Sequence, residues 1–379
     1  MEKEKKSILI IHNTLGVGGA DTSLFNFINL FKDEYNISLY IFEKNDNSKI
    51  DKIPPCVKII SSRDQIRSTK IPFLFKVLPK TVKNFIYECK MKKIIKKERS
   101  IHEEYHLVIC FFGFYNHLQE FTIEKTKAQR KVLLVHEDCK RRHYSKTKLN
   151  TMKKFDKIFF VSNSISEKFL KMYKWDKNKI DVLYNNVSYE NINKDIAEKI
   201  NITAKSEVVK FISIAGIGKN KAYPRTAKAF GKLKRNGLDF NWYIIGKDCG
   251  ERKKLERKIK KYKINKDVVL LGERINVFPY INAVDVLLLT SYMESQGMVL
   301  SEALLIGKPI IATECVSTKE LYGEYGEICE NSTQGIYKSI KSLLEDKNKF
   351  EKLKGKAKNY SACEIEEKIK TTIKKEMEL

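Results

Sequence analysis

The chain has 379 residues, and at about 150 residues per domain this predicts two mid-sized domains rather than one core. Hydrophobic residues make up 42% and aromatic residues 11%, enough to bury a sizeable core and to exclude a disordered basic protein. Lys and Arg number 73 against 47 Asp and Glu, a net charge of +26, so the protein is attracted to polyanions: nucleic acid, an anionic membrane face or phosphorylated substrates.

The heavy use of Lys, Ile and Asn has the look of an AT-rich coding bias, which raises the charge without a functional cause and weakens the nucleic-acid inference. The eight cysteines are scattered with no C-x-x-C pair, which argues against a disulfide framework and fits a reducing cytoplasm. The apolar run at residues 8–11 behind the charged start is too short for a secretory signal. No stretch reaches about 18 apolar residues, so neither export nor a membrane span is expected.

In chain order, residues 7–12 read as a buried strand, 16–19 as a glycine turn, 22–31 as an amphipathic helix and 37–42 as the next strand. Strand, glycine turn, helix, strand is a βαβ unit, the building block of parallel sheets with helices on both faces. Further strands are expected at 107–112, 131–136 and 157–161. A polar stretch, 189–206, is expected to be a linker between the first domain, 1–188, and a second, 207–360.

The second domain repeats the pattern, with strands expected at 208–214, 241–245, 268–271, 284–290 and 309–313. Its helices are expected at 225–235, 252–262, 298–306 and 333–344. The tail, 361–379, carries Ile365, Ile369 and Ile373 at i, i+4, i+8, a narrow stripe that predicts a helix packing back across the domains. The expected fold class is α/β, two Rossmann-like doubly wound domains facing a cleft.

Three stretches carry residues suited to chemistry. His102-Glu103-Glu104-Tyr105-His106 matches the H-E-x-x-H zinc pattern, which needs both histidines on one helix face. The strand pattern that follows at once favours a solvated loop instead, and no metal is expected. The loop holding Gly16, Gly18 and Gly19 lets a backbone approach a ligand at a helix N-terminus, but it lacks the third glycine of a dinucleotide fingerprint and has no Walker lysine. The strongest signal lies between Thr290 and Leu304. There Glu294 follows a strand, Gln296, Gly297, Met298 and Val299 open a helix, and Glu302 sits inside that apolar helix between Leu300 and Leu304. Ligands of open α/β sheets bind at the carboxyl edge of the strands, helix starts hold phosphates, and a carboxylate on an apolar helix wants a partner.

On these residues the sequence resembles glycosyltransferase family 4, retaining enzymes of the GT-B fold that use nucleotide-activated sugars. Glu294 and Glu302 are similar to the family's Glu-x7-Glu signature, and residues 303–313 to the strand beyond it. Gly18-Gly19-Ala20-Asp21 resembles the family's Gly-Gly-Ala-Glu loop, and residues 132–138 resemble the strand that ends in the family's donor-side histidine, here His136. Residues 155–162, 180–187, 271–285 and 323–326 continue the match through both halves of the chain.

The resemblance implies a UDP- or GDP-linked sugar donor, a glycan or lipid-linked acceptor hydroxyl, and no cofactor or metal. It implies that Glu302 binds the ribose, that Glu294 and His136 contact the donor sugar, and that Gly18, Gly19, Lys219, Lys221, Gln296, Gly297, Met298 and Val299 bind the rest of the donor. It places the protein in the assembly of a bacterial surface polysaccharide such as lipopolysaccharide or capsule. Two departures bear on donor choice. Ile217 stands where the family has a diphosphate-binding Arg, with Lys221 matching the family Lys and Lys219 as a substitute charge, and Ser295-Gln296 replaces Gly-Phe after Glu294.

Residues 71–99 combine Phe73, Leu74, Phe75, Val77 and Leu78 with a lysine-rich run, which is compatible with peripheral contact to an anionic membrane on the cytoplasmic side. Two competing readings stand beside the transferase. One is a basic nucleic-acid-binding protein, against which the charge is spread along the chain with no recognition motif. The other is a transferase-like partner subunit that has lost turnover.

Overall fold

A computed structural model of the chain describes residues 5–16, 18–43, 50–61, 80–113, 115–138, 144–187, 192, 196–200, 202 and 208–379, with side chains left out at 80–85 and 87–88. It divides the chain into two compact units, Met1–Asn186 with Ile365–Leu379, and Val187–Glu364. The expected linker lies largely outside the described residues, as do Phe73, Leu74, Phe75, Val77 and Leu78.

The first unit is built on seven strands: β1 (Ser7–His12), β2 (Asn36–Ile41), β3 (Lys58–Ser61), β4 (Glu104–Cys110), β5 (Lys127–Val135), β6 (Lys157–Phe160) and β7 (Ile180–Val182). They form one sheet in the order β3-β2-β1-β4-β5-β6-β7, and every pairing is parallel. The central strands β1 and β4 are almost wholly buried, as continuous apolar runs such as Ile8-Leu9-Ile10-Ile11 require when helices cover both sheet faces. The connecting helices are α1 (Gly19–Phe31), α2 (Lys80–Lys97), α3 (Asn116–Lys125), α4 (Lys146–Met152) and α5 (Asn163–Met172).

The second unit has six strands: β8 (Lys210–Ile214), β9 (Asn241–Ile245), β10 (Val268–Gly272), β11 (Val286–Leu289), β12 (Ile310–Thr313) and β13 (Glu327–Cys329). Their order is β10-β9-β8-β11-β12-β13, again all parallel. Its helices are α6 (Tyr223–Arg235), α7 (Arg252–Lys261), α8 (Phe278–Asn282), α9 (Met298–Leu305), α10 (Thr318–Tyr322), α11 (Thr333–Glu345) and α12 (Lys347–Lys358). The last helix, α13 (Cys363–Glu378), places residues from Ile365 onward in the first unit and buries Ile369, Ile373 and Met377. In both sheets the strand order reverses once, between β1 and β4 and between β8 and β11. Such reversals open a crevice at the carboxyl edge of the strands, where ligands of this architecture bind.

A glycine in the middle of α6 shows how tightly the second core is packed. A Cβ on Gly231 would stand 2.5 Å from the Cβ of Tyr262, just past the end of α7. Gly231→Ala is therefore expected to destabilise by about 1–3 kcal/mol despite alanine's better helix propensity, as read by urea unfolding. Unchanged or increased stability would show that α7 yields freely.

Two sequence expectations need correcting here. β4 begins at Glu104 rather than 107, so His106 lies inside a strand, where its Nδ1 accepts the Ser7 N–H at 3.1 Å. That geometry removes the shared helix face a zinc pair needs, and among the described residues no group of three or more His, Cys, Asp or Glu could hold a metal ion. The helix after the glycine turn begins at Gly19 rather than 22, because Gly18 is extended and acts as its cap.

Candidate functional site

The switch point of the second sheet assembles most of the sequence-predicted donor residues. After β8 the chain passes through Gly216, Ile217 and Gly218 beside the loop that follows β9, with the Ile217 N–H donating to Lys247 O at 2.8 Å and the Cys249 N–H to Ile217 O at 3.1 Å. A Cβ on Gly216 would meet Cys249 Sγ at 2.7 Å, so a larger residue there would have to turn the Cys249 side chain aside. The side chain of Ile217 is buried within the core, and the position where the family has an arginine carries no charge.

A single turn, Lys219–Lys221, follows, and Ala222 in the left-handed conformation (φ 57°) redirects the chain into α6. Lys219 is exposed. Lys221 Nζ lies 2.5 Å from Glu294 Oε1, in an ion pair whose side chains are 27% and 11% exposed. The same carboxylate oxygen accepts the hydroxyl of the fully buried Ser291.

Asn220 stitches the two loops together. Its carbonyl accepts the Tyr292 N–H at 2.8 Å, and its Nδ2 donates to Met293 O at 2.8 Å. The structure thus pairs the lysine expected to meet the diphosphate with the carboxylate expected to meet the sugar. Asn220 and Ser291, which hold that pair, carried no sequence signal beyond their position beside it.

The helix start completes this edge. Gly297 adopts φ +75°, a left-handed conformation that favours glycine, and caps α9. Gln296 and Met298 are buried beside it, and the first N–H groups of α9, from Met298 and Val299, have no acceptor within the helix. Tyr322 and Tyr360 pin this end through Ser301, at 2.9 and 3.0 Å.

Glu302, one turn further along α9, is 9% exposed, and among the described residues no hydrogen bond or ion pair engages its carboxylate. Burial pushes its pKa up to about 7. The partner that the sequence reading required for Glu302 is not supplied by the described residues.

The corresponding edge of the first sheet carries a different chemistry. Asp21 receives the Gly18 N–H at 3.0 Å on one oxygen and His12 Nε2 at 3.1 Å on the other. Burial opposes ionisation of Asp21, but the bond to His12, its charge, and the N–H groups of Gly18 and Gly16 outweigh burial and hold the carboxyl below its ordinary value. Gly18 therefore spends its N–H within the loop, and no free anion cradle forms at Gly18 itself.

His136 follows β5, and its Nε2 donates to Phe111 O at 2.8 Å. Burial foremost, then the nearby His12, drops its pKa to about 4. A neutral imidazole with Nε2 engaged leaves Nδ1 as an acceptor, which suits a hydroxyl rather than an anion. His117 is likewise held neutral by burial, its pKa lowered to about 3, and its Nε2 lies 3.2 Å from Asn13 Oδ1. Neither the His12–Asp21 pair nor the His117–Asn13 pair was anticipated from sequence. His12 stands four residues before the glycine turn and His117 lies 104 residues along the chain from Asn13, so neither pair leaves a local pattern to read.

Two parallel-sheet Rossmann-like units are the architecture of the GT-B fold. Residues 195–360 match the family model described as glycosyl transferases group 1. The chain matches that model within its second unit, over less than half of its length. It is 27% identical over 198 residues to N-acetyl-alpha-D-glucosaminyl L-malate synthase of Bacillus anthracis, a match covering 50% of this chain and 51% of that protein. The matched region thus spans about half the length of that curated relative.

Among solved structures, Anabaena Alr3699/HepE in complex with UDP and glucose superposes with a TM-score of 0.70 at 17% identity, covering 98% of this chain and 100% of that one. WaaG, a glycosyltransferase involved in lipopolysaccharide biosynthesis, superposes at 0.66 with 13% identity over 95% and 98% of the two chains. These likenesses support the expected fold class. No helix among the described residues is long and apolar enough to cross a membrane.

Proposed function

We propose that the protein is a retaining glycosyltransferase that moves a sugar from a nucleotide-sugar donor to a hydroxyl of a glycan or lipid-linked acceptor in surface polysaccharide or lipooligosaccharide assembly. The observation that carries this reading is the convergence at one switch point of Lys221, Glu294, the start of α9 and Glu302, whose carboxylate has no partner among the described residues. The WaaG and HepE likenesses support it at the level of fold, and UDP in the HepE complex makes a UDP-sugar the first donor to test.

In this reading the bond from the anomeric carbon to the diphosphate breaks with its electron pair leaving on the nucleoside diphosphate, the acceptor oxygen bonds that carbon on the same face, and the acceptor's proton passes to the departing diphosphate oxygen. Lys221, Lys219 and the N–H groups opening α9 meet the charge that grows on the leaving group, so they bind the transition state more tightly than the ground state. Glu294 opposes the positive charge developing on the sugar. Glu302 accepts the ribose hydroxyls, which provides its missing partners. His136 offers Nδ1 to a hydroxyl. The leaving-group charge is assigned to these groups and not to a metal, and the protein is placed in the cytoplasm at the inner membrane face, with no nucleic-acid partner.

The test is thermal unfolding with UDP, GDP, ADP, CMP and a single-stranded oligonucleotide, each at low and high salt. A ligand at one hundred times its Kd stabilises the native state by about 2.7 kcal/mol, a readily measured rise in melting temperature. The expected result is a salt-tolerant shift with one nucleoside diphosphate and turnover of the matching nucleotide sugar that survives EDTA. A response only to the oligonucleotide, lost at high salt, would instead favour nucleic-acid binding. Diphosphate binding without turnover of any sugar would indicate a partner subunit.

A further inference from the structure

One charged side chain near this site is absent from every role assigned so far. Arg225, in the first turn of α6, sends its guanidinium into the junction of the loops that follow β11, β12 and β13. One terminal nitrogen donates to Thr290 O at 2.7 Å, Ser291 O at 3.2 Å and Asn331 Oδ1 at 2.6 Å, and the other to Asn331 O at 3.1 Å. The guanidinium carbon lies 4.2 Å from the centre of the Tyr292 ring.

Asn331 continues the junction, its Nδ2 donating to Tyr292 O at 3.1 Å and Glu314 O at 2.9 Å. Thr313 Oγ1 donates to Ser291 O at 2.7 Å, and Thr226 and Thr290 share a hydrogen bond at 2.7 Å. Ser291 is thus held on its carbonyl by Arg225 and Thr313 while its hydroxyl holds Glu294.

We propose that Arg225, with Asn331, is a positioning clamp that fixes the strand-to-helix loop so that Glu294 meets the donor sugar. This rests on the transferase reading of the same site. The rival role, a replacement for the arginine lost at Ile217 that would bind the diphosphate directly, is opposed by geometry: both terminal nitrogens are committed to protein oxygens. A guanidinium suits the clamp because its fixed fork reaches several carbonyls at once, which a lysine ammonium on a flexible stem does not reproduce. The clamp acts through Glu294 and touches no substrate, so it should govern turnover and leave nucleotide affinity nearly alone.

The experiment compares wild type, Arg225→Lys, Asn331→Ala, Glu294→Gln and Arg225→Lys combined with Glu294→Gln. It uses the nucleotide sugar that supports turnover and, by calorimetry, the matching nucleoside diphosphate. Arg225→Lys is expected to lower kcat about tenfold or more with donor KM and diphosphate Kd within about threefold, because an interaction realised only in the transition state has been lost. Its effect should disappear when Glu294 is already Gln, since the two then lie on one path.

Asn331→Ala sits in a loop and repeats the kcat loss if Arg225→Lys folds poorly. The proposal is overturned by wild-type kcat in both variants, by a fall in diphosphate affinity matching the fall in kcat, or by an undiminished Arg225→Lys effect in the Glu294→Gln background. A wild type that neither binds a nucleoside diphosphate nor turns over a nucleotide sugar overturns the transferase reading itself, and the clamp with it. That outcome is visible before any variant is made.

Discussion

Glu302→Gln is expected to flatten the pH dependence of stability and to weaken donor binding at the same time. Burial lifts the Glu302 pKa from 4.5 to about 7, so between these values the folded protein holds a proton that the unfolded chain releases. Stability from this group is complete below the unfolded value and is lost as pH rises through the folded value. The difference corresponds to about 3 kcal/mol across the window.

Glutamine has the same shape and no charge, so the variant should gain on wild type as pH is raised from 5 to 8, as read by urea unfolding at several pH values. Donor binding should move the opposite way. A carboxylate accepting two hydroxyls is worth more than an amide, so nucleoside diphosphate affinity should tighten in wild type through pH 7 and lose that dependence in the variant, at a cost of about tenfold. Identical pH slopes for the two proteins would show that the Glu302 carboxylate is not desolvated. Unchanged affinity would remove it from the donor site.

The same residue shows what could be read before any fold was known. An acid between Leu300 and Leu304 on an apolar helix is visible as an anomaly, and its eight-residue distance from Glu294 locates the site because a strand end and a helix start bracket it. The buried strands β1, β4, β5, β8, β9, β11 and β12 were equally legible as continuous apolar runs. The strands that were not anticipated, β3, β7 and β13, all lie at sheet edges. Each is four residues or fewer, and β3 carries an exposed Lys58 and Ser61 around its two isoleucines, so neither alternation nor a long apolar run marks it.

Arg225 and Asn331 escaped for a different reason. They lie 106 residues apart and meet only because β8, β11, β12 and β13 end at one edge. A long-range polar contact leaves no periodicity in a single sequence. Ile217 is the converse case. Its chemistry was legible as a departure, but the reason that position holds no charge, a backbone bridge to Asp248 that leaves the side chain in the core, belongs to the fold.

Glu376→Ala is expected to cost about 3–5 kcal/mol, because it leaves one partner of a largely buried ion pair without its counter-charge. Glu376 on α13 is 3% exposed, and a single carboxylate oxygen receives both Nε and a terminal nitrogen of Arg130 on β5, at 2.9 and 2.7 Å. Lys6 adds a bond from its ammonium to the Met377 carbonyl. The apolar stripe of α13 is narrow, Ile369, Ile373 and Met377, so the ion pair fixes the register in which that stripe meets the first unit. Arg130→Met with Glu376→Met should recover most of the loss, since a buried pair is replaced by apolar groups far more cheaply than it is broken. Urea unfolding gives the stabilities, and protease cleavage near residue 365 reports release of the helix. Wild-type stability and cleavage in Glu376→Ala would show that apolar packing alone seats α13, and a double variant as unstable and as readily cleaved as Glu376→Ala would show that apolar groups cannot replace the ion pair.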